Sequence, residues 1–236
     1  MLKRVFGAAL TGVLALSLLA GCQPQENTGT GSNASGVSTG SWDGRTLVVG
    51  VDDKFAPMGF RDENNEIVGF DIDLAKAAAE HMNCEVEIKA INWNNKTMEL
   101  NNGNVDVIWN GLTITDERKQ DMLFTKPYLA NEQVVVVKND NSEINAISDL
   151  ADKNVVLQED SSALEAFQKQ EVYNEVANLA KVADNAMGFL EIKNGTSDAL
   201  VVDSVVAKYY IEKEPDTYRI VGEALAPEEY GIGIKK

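Results

Sequence analysis

The sequence predicts an α/β protein whose body consists of two halves of comparable size. From Trp42 onward, short β-rich runs alternate with helical stretches, which is the βαβ rhythm of a parallel sheet. The rhythm breaks at a bare valine-rich strand, Gln133–Lys138, and restarts beyond the polar loop Asn139–Asn145. Small ligands bind preferentially between such units, so we expect a binding cleft between the halves and a hinge in the segments that connect them.

In the first half, the periodicity of apolar residues and the positions of turn residues predict where the helices and strands lie. Apolar residues from Ile72 to Met82 recur at steps of three and four residues, which predicts a helix. Asn102-Gly103 ends a second helix, and the turn Asp62–Asn65 joins two short extended pieces. The expected order is strand Thr46–Asp52, helix Asp71–Met82, strand Val86–Ile91, helix Asn95–Asn101, strand Val105–Ile108 and a helix that starts after Thr115.

The second half follows the same alternation, although no residue-level repeat relates it to the first half. Its β-rich runs predict strands and its intervening stretches predict helices. We expect strands at Gln133–Lys138, Asn154–Leu157, Leu179–Val182, Ala199–Val202 and Arg219–Val221, and helices at Ser162–Lys169, Asn185–Lys193 and Ser204–Lys213.

The N-terminal region is typical of a secreted, anchored protein. Lys3 and Arg4 precede an apolar run, the layout of a signal peptide over residues 1–21. The run closes with Leu-Ala-Gly-Cys22, which looks like the bacterial lipobox, so we expect Cys22 to be acylated and to anchor the chain to the cell membrane from outside. An ordinary signal peptide with an accidental cysteine is the alternative. The Gly/Ser/Thr-rich segment 22–41 predicts a flexible tether.

Charge and cysteine content exclude several function classes. Lys and Arg total 21 against 37 Asp and Glu, a formal net charge of -16, and such a surface repels nucleic acid. Cys22, Cys84 and the single histidine, His81, cannot supply a disulfide framework or a zinc cluster. We therefore expect no metal and no cofactor, and Cys84 as a small buried hydrophobe.

Arg118 is the first candidate binding residue. It follows Thr113 at the carboxyl end of a predicted strand, where open α/β sheets place their ligands. With Thr115 as the predicted N-cap, Arg118 lies in the first helical turn, where a cation costs about 0.3–1 kcal/mol. The compensating anion is either Asp121 or Glu117 on the same helix, or a ligand carboxylate that the guanidinium and the Thr113 hydroxyl would bind.

In the second half, two polar segments also follow strands. Ser161 and Ser162 open a helix, and Ser162 stands at capping-box spacing from Glu165, so the serines are either helix caps or part of an anion site. Asp203 closes the strand Ala199–Val202, where it either accepts an ammonium group or caps the next helix.

An acid and three aromatic residues follow strands of the first half. Phe55, Phe60 and Trp93 could provide apolar walls of a ligand site, although aromatics at such positions are more often part of the core. Asp52 with Asp53 could form a metal or acid/base pair, but no histidine or third acid stands at ligand spacing.

Gly69–Ala79, with the sequence GFDIDLAKAAA, resembles the signature of the family 3 extracellular solute-binding proteins of polar amino-acid ABC transporters. The resemblance implies a type II periplasmic-binding-protein-like fold, with a ligand cleft between two lobes and a two-segment hinge whose second crossing lies near 224–230. Lobe 1 would comprise 42–131 plus 226–236 and lobe 2 would comprise 132–225, with the C-terminal part of lobe 1 truncated. Further motifs in the family's order extend the resemblance over about residues 42–236: Asp52–Pro57, Gly111–Arg118, Phe124–Tyr128, Asp149-Leu150 and Asp198–Asp203.

The resemblance also implies roles for individual residues. Arg118 would bind the α-carboxylate with Thr113 and the N–H groups of Ser161 and Ser162. Asp203 would accept the α-ammonium, with the Gly111 carbonyl as second acceptor. Where the family usually has Gly-Ser-Thr, this chain has Asp160-Ser161-Ser162. Phe55 would stack on the ligand side chain, whose pocket Asp52, Trp93 and Gln158 would line, and Phe60 completes the expected ligand-binding set.

The expected function is capture of a polar amino acid by a monomeric, membrane-tethered lipoprotein that delivers it to an ABC permease and catalyses nothing. Two alternatives are a cyclohexadienyl-dehydratase-like enzyme, with Glu159 as its acid/base, and a sensor or adhesin lipoprotein. Asp52 and Glu159 favour neutral polar or basic side chains over glutamate and aspartate, and cystine also fits.

Overall fold

The computed structural model describes residues 41–236, so the signal peptide, Cys22 and nearly all of the tether lie outside the described residues. Among residues 41–236, no helix combines the length and hydropathy that a membrane span requires. Up to residue 128, the helices are α1 (Phe70–His81), α2 (Lys96–Asn101) and α3 (Arg118–Asp121), and the strands are β1 (Thr46–Val51), β2 (Lys54–Phe55), β3 (Gly59–Arg61), β4 (Ile67–Val68), β5 (Glu85–Ala90), β6 (Val107–Ile108) and β7 (Met122–Phe124).

The remainder of the chain begins with a long strand. Its helices are α4 (Ser162–Gln168), α5 (Asn185–Asn194) and α6 (Ser204–Lys213). Its strands are β8 (Leu129–Lys138), β9 (Asn154–Gln158), β10 (Asn178–Val182), β11 (Ala199–Asp203), β12 (Tyr218–Tyr230) and β13 (Gly233–Lys235).

Two five-stranded sheets organise these elements. The first has the order β5-β1-β6-β13-β7 and the second has the order β10-β9-β11-β8-β12. The pairs β1–β5, β1–β6, β9–β10 and β9–β11 are parallel, which confirms the predicted βαβ rhythm in both halves. We call the first sheet with α1–α3 the first lobe, and the second sheet with α4–α6 the second lobe.

The valine-rich strand β8 forms the centre of the second lobe. Val134 and Val136 pack with Val156 and Val202 on one side of the sheet. Val135 and Val137, which point the other way, pack in a second cluster with Val155 and Leu157. Because helices cover both faces, successive residues are all buried, and this explains a run of valines without polar alternation.

The chain passes between the lobes twice, and the two crossings pair with each other. Leu129 of β8 pairs with Tyr230 of β12, and the antiparallel pairing continues to Gln133 with Ala226. An irregularity between Val221 and Ala226 then separates this stretch from the rest of the ladder. Two adjacent strands therefore connect the lobes.

Several predicted elements differ from the structure. The predicted strand Arg219–Val221 is only the start of β12, whose length depends on pairing with β8. The helix after Thr115 has four residues, and Val105 lies outside β6. The two short pieces around the turn Asp62–Asn65 are confirmed as β3 and β4, whereas β2, β7 and β13 were not predicted. Strands of two or three residues carry too little periodicity to be read from sequence unless a turn signal lies beside them, as the turn Asp62–Asn65 does for β3 and β4.

The start of α1 holds a buried carboxyl group in place. Gly69 adopts φ 135°, and a Cβ there would lie 2.5 Å from the Met58 carbonyl oxygen, so this turn requires glycine. Asp71 is fully buried, and its Oδ2 accepts hydrogen bonds from the Gly111 N–H at 2.7 Å and the Tyr128 hydroxyl at 2.8 Å. Its other oxygen has no partner among the described residues. Burial raises the pKa of Asp71 to about 6.

Replacing Asp71 by asparagine should flatten part of the pH dependence of stability. The pKa of Asp71 is about 6 in the folded protein, above the ordinary 3.8. At pH values between these two, the folded protein therefore keeps a proton that the unfolded chain has lost. The free energy of unfolding of the wild type, relative to Asp71→Asn, should therefore fall by about 2 kcal/mol as pH rises from 4 to 7. Urea unfolding at several pH values measures this difference. The matched control is Asp73→Asn, an exposed carboxyl on the same helix, and parallel curves for wild type and Asp71→Asn would contradict the prediction.

Candidate functional site

A small cavity lies where the two lobes meet. Its volume is about 10 Å³, far below the usual range of ligand pockets. The first lobe contributes Phe55, Trp93, Gly111 and Arg118, and the second contributes Gln158, Ser161, Ser162 and Asp203. These eight residues are all members of the set of eleven that the sequence suggested.

Arg118 begins α3 and reaches across the cavity wall. Its guanidinium donates to the Thr113 carbonyl at 3.0 Å and to the Asp160 carbonyl, on the second lobe, at 3.4 Å. Among residues 41–236, no carboxylate oxygen lies within 4.0 Å of it, so the expected pairing with Asp121 or Glu117 is not formed. Burial lowers the pKa of Arg118, and the carboxylates of Asp160, Glu228 and Asp203 oppose this shift. The Thr115 hydroxyl accepts from the Arg118 N–H at 3.2 Å, but Glu117 holds the N-cap position of α3 and its side chain makes no cap bond, so the predicted N-cap Thr115 is wrong.

The serines do not cap α4 in the predicted way. Ser161 occupies the N-cap position but makes no side-chain cap bond, because its hydroxyl donates to the Gln158 carbonyl at 2.7 Å. Ser162 is the first helical residue, and its hydroxyl lies 3.0 Å from the Thr113 hydroxyl of the other lobe. The capping-box interpretation of Ser162 and Glu165 is therefore wrong, and both hydroxyls border the cavity instead.

Asp203 is buried and lines the same cavity. It occupies the N-cap position of α6 without a side-chain cap bond, so the capping alternative is wrong here as well. Its Oδ1 accepts from the Asn131 amide at 2.8 Å and from the Tyr230 hydroxyl at 2.5 Å. Burial, followed by the nearby charge of Glu228, raises its pKa well above the ordinary value.

Four residues around Asp203 were not predicted. The Glu228 carboxylate accepts from Asn131 at 2.5 Å and from the Gln133 amide at 2.9 Å, so one asparagine bridges both acids. Asn131 and Gln133 stand two residues apart in β8, and Glu228 and Tyr230 stand two apart in β12. Polar residues within a valine-rich strand were the sequence feature that could have identified Asn131 and Gln133 as site residues. Interpreting that feature required the pairing of β8 with β12, which was not predicted.

The end of the site that contains Gln158 also contains Asp52, which does not itself line the cavity. The Asp52 carboxylate accepts from the Gln158 amide at 2.8 Å and from the Lys54 N–H at 3.0 Å. Burial raises its pKa, and these hydrogen bonds counteract the rise. Nearby, the Lys54 ammonium of the first lobe pairs with Asp184 of the second at 2.9 Å. This end of the site therefore contains two carboxylates and one ammonium group.

Phe60 lies away from the cavity. In the β2–β3 hairpin it pairs with Lys54, whereas Phe55 pairs with Gly59. Paired residues share a face of the sheet, so Phe55 and Phe60 point in opposite directions. Phe60 packs instead against Tyr209, with ring centroids 5.6 Å apart.

Two further acidic candidates have other partners. Asp53 pairs with Arg61 at 2.5 Å, so it does not form a pair with Asp52. Glu159 is exposed and accepts from the Asn94 amide of the first lobe at 2.8 Å. Neither carboxylate lines the cavity.

Comparisons with known proteins agree with this architecture. The chain is 32% identical to a glutamine-binding protein of Geobacillus stearothermophilus, over 97% of this chain and 90% of that one. The arginine-bound structure of truncated ArgBP from T. maritima has a TM-score of 0.75 and 35% identity, covering 81% and 88% of the two chains. The ancestral amino acid-binding protein AncCDT-1, a precursor of cyclohexadienyl dehydratase, has a TM-score of 0.75 and 34% identity over 81% and 82%.

The family model of the bacterial extracellular solute-binding proteins, family 3, matches residues 47–225. That match spans both lobes and every residue that lines the cavity. The chain belongs to the bacterial extracellular solute-binding proteins of family 3.

Proposed function

We propose that this protein is the substrate-binding component of an ABC importer and that it captures a free polar amino acid between its lobes. One observation carries the proposal: among residues 41–236, Arg118 has no carboxylate partner and Asp203 has no cationic partner, yet both face one cavity. Arg118 comes from the first lobe and Asp203 from the second. A zwitterion would complement both charges at once.

At the carboxylate end, the guanidinium would bind the ligand with two parallel hydrogen bonds. Arg118 now donates to backbone carbonyls of Thr113 and Asp160, which are weaker partners than a carboxylate. The hydroxyls of Thr113 and Ser162, 3.0 Å apart across the lobes, would donate to the same group. The Ser161 and Ser162 N–H groups would complete this end of the site.

At the ammonium end, Asp203 would accept together with the Gly111 carbonyl. Gly111 adopts φ 56°, and a Cβ there would lie 2.6 Å from the Phe55 ring, so only glycine fits. The Asp71 carboxylate holds the Gly111 N–H and thereby fixes this peptide. An ammonium group beside Asp203 would favour the ionised form of a carboxyl whose pKa is raised by burial and by Glu228.

The side-chain end favours neutral polar or basic amino acids. Asp52 and Asp184 would repel the second carboxylate of glutamate or aspartate, while Asp52, Gln158 and Asn185 offer a chain of hydrogen-bonding groups. Phe55 and Trp93 would supply apolar walls. The glutamine- and arginine-binding relatives have ligands of these two classes.

Ligand entry requires the lobes to move apart, because contacts between them surround the small cavity. We propose lobe 1 as 42–131 plus 226–236 and lobe 2 as 132–225, with the paired strands β8 and β12 as the hinge. Release at a permease would follow reopening. In this proposal the protein acts as a monomer, tethered outside the membrane through acylated Cys22 and the segment 22–41.

A binding role without catalysis is preferred over the dehydratase alternative. Turnover would require an acid/base beside the substrate. Glu159, the candidate for this role, is exposed and bonded to Asn94 instead of lining the cavity. AncCDT-1, the similar protein that is a precursor of cyclohexadienyl dehydratase, is itself described as an amino acid-binding protein.

Thermal unfolding against the twenty amino acids, cystine and ornithine should identify the ligand. An amino acid at 100 times its dissociation constant stabilises the folded state by about 2.7 kcal/mol, which is readily detected as a rise in Tm. We expect one or a few neutral polar or basic amino acids to raise Tm, and glutamate and aspartate to leave it unchanged. A cooperative transition that no compound shifts would contradict the proposed function.

Arg118→Ala should lower the affinity for that amino acid about a hundredfold or more, because it leaves the ligand carboxylate buried without its cation. Isothermal titration calorimetry measures the effect, and circular dichroism verifies folding. Lys119→Ala is the matched control, since Lys119 is exposed and pairs with Asp116 on the surface. Equal loss in both variants would argue against a direct role for Arg118.

A further inference from the structure

Lys96 is a buried cation that does not line the cavity of the proposed zwitterion site. It is the first residue of α2 in the first lobe, and only 3% of its side chain is exposed. Its ammonium donates to the Trp93 carbonyl at 3.3 Å and lies 5.0 Å from the centre of the Trp93 ring. Both partner groups belong to Trp93 in the same lobe, and neither the carbonyl nor the ring carries a formal negative charge.

The charged partner of Lys96 is on the other lobe. The ammonium pairs with the Asp160 carboxylate and also donates to the Asp160 carbonyl at 3.1 Å. The same carbonyl accepts from Arg118 at 3.4 Å. Two cations of the first lobe therefore converge on one residue of the loop between β9 and α4.

The backbone at Asp160 adopts a conformation that glycine favours. Its φ is 55°, in the left-handed region that aspartate and asparagine also tolerate. Helix α4 does not use the carboxylate as a cap, because Ser161 holds the N-cap position. The pairing with Lys96 is thus the contact that the aspartate adds to what a glycine would provide.

We infer that the Lys96–Asp160 pair is a latch between the lobes, which stabilises the closed arrangement and slows dissociation of the ligand. The effect on ligand dissociation rests on the proposed function, because it requires a bound amino acid. The contact between the lobes does not depend on a ligand. Asp160 is then a positioning residue that acts through Lys96 and does not touch the amino acid.

The electrostatics explain why closing needs this carboxylate. Burial, followed by the charge of Arg118, lowers the pKa of Lys96 to about 8. Bringing the lobes together therefore places an ammonium group in a desolvated position beside another cation, which is unfavourable. Asp160, whose side chain remains 55% exposed, supplies the opposite charge at a smaller desolvation cost.

The test compares Asp160→Asn in the wild-type and Lys96→Met backgrounds. Asparagine tolerates the left-handed backbone and keeps the shape of the side chain, so the fold is preserved. Small-angle X-ray scattering of the ligand-free protein should show a larger radius of gyration for Asp160→Asn than for wild type. Stopped-flow measurement should show dissociation of the amino acid about three to ten times faster, with the association rate unchanged.

The double variant separates a latch from a local structural effect. If Asp160 acts through Lys96, then Asp160→Asn should change neither the radius of gyration nor the dissociation rate in the Lys96→Met background. Glu143→Gln, which breaks the exposed Lys153–Glu143 pair within the second lobe, is the control and should resemble wild type.

Equal effects of Asp160→Asn in both backgrounds, or no effect in either, would overturn the latch. If the wild type binds no amino acid, the proposed function fails. The scattering comparison still tests whether the Lys96–Asp160 pair holds the lobes together. Expansion of Asp160→Asn that depends on Lys96 would support the latch in that case as well.

Discussion

The site depends on two charges that the fold leaves without partners of opposite sign among the described residues. Among residues 41–236, Arg118 donates only to backbone carbonyls, and Asp203 accepts only from an amide and a hydroxyl. Charges that are partly or wholly removed from water are costly unless they are paired. The two lobes bring these charges to a single cavity, so a zwitterion is the ligand that would relieve both.

In the proposed function, the hinge and the binding site share the same strands. β8 and β12 connect the lobes, and their polar residues hold the acids at the ammonium end. Asn131 bridges Asp203 and Glu228, while the Tyr230 hydroxyl donates to Asp203. If the proposed function is right, a change in the geometry of the crossing strands would alter the position of the ammonium acceptor, which would link lobe movement to ligand binding.

Much of the fold could be predicted because long elements carry strong patterns. Helix Ser204–Lys213 has the predicted bounds, and the valine run Gln133–Lys138 predicted a strand that the structure contains as the greater part of β8. The sequence left the hydroxyls of Ser161 and Ser162 with two interpretations, as helix caps or as part of an anion site, because a capping box has the same local spacing whether or not a neighbouring lobe offers better partners. Phe60 was grouped with Phe55 by proximity in sequence, and only the hairpin register separates them. Cys84, expected to be buried, is half-buried against the core of the first lobe.

Recognition of the zwitterion is tested most directly by blocking each of its charges in turn. Calorimetric titration should compare the best amino acid with its N-acetyl derivative, which lacks the ammonium group, and with its methyl ester, which lacks the carboxylate. We predict that the free amino acid binds and that both derivatives lose about a hundredfold or more in affinity, since each leaves Asp203 or Arg118 buried without its partner. Binding of either derivative with the affinity of the free amino acid would contradict the account.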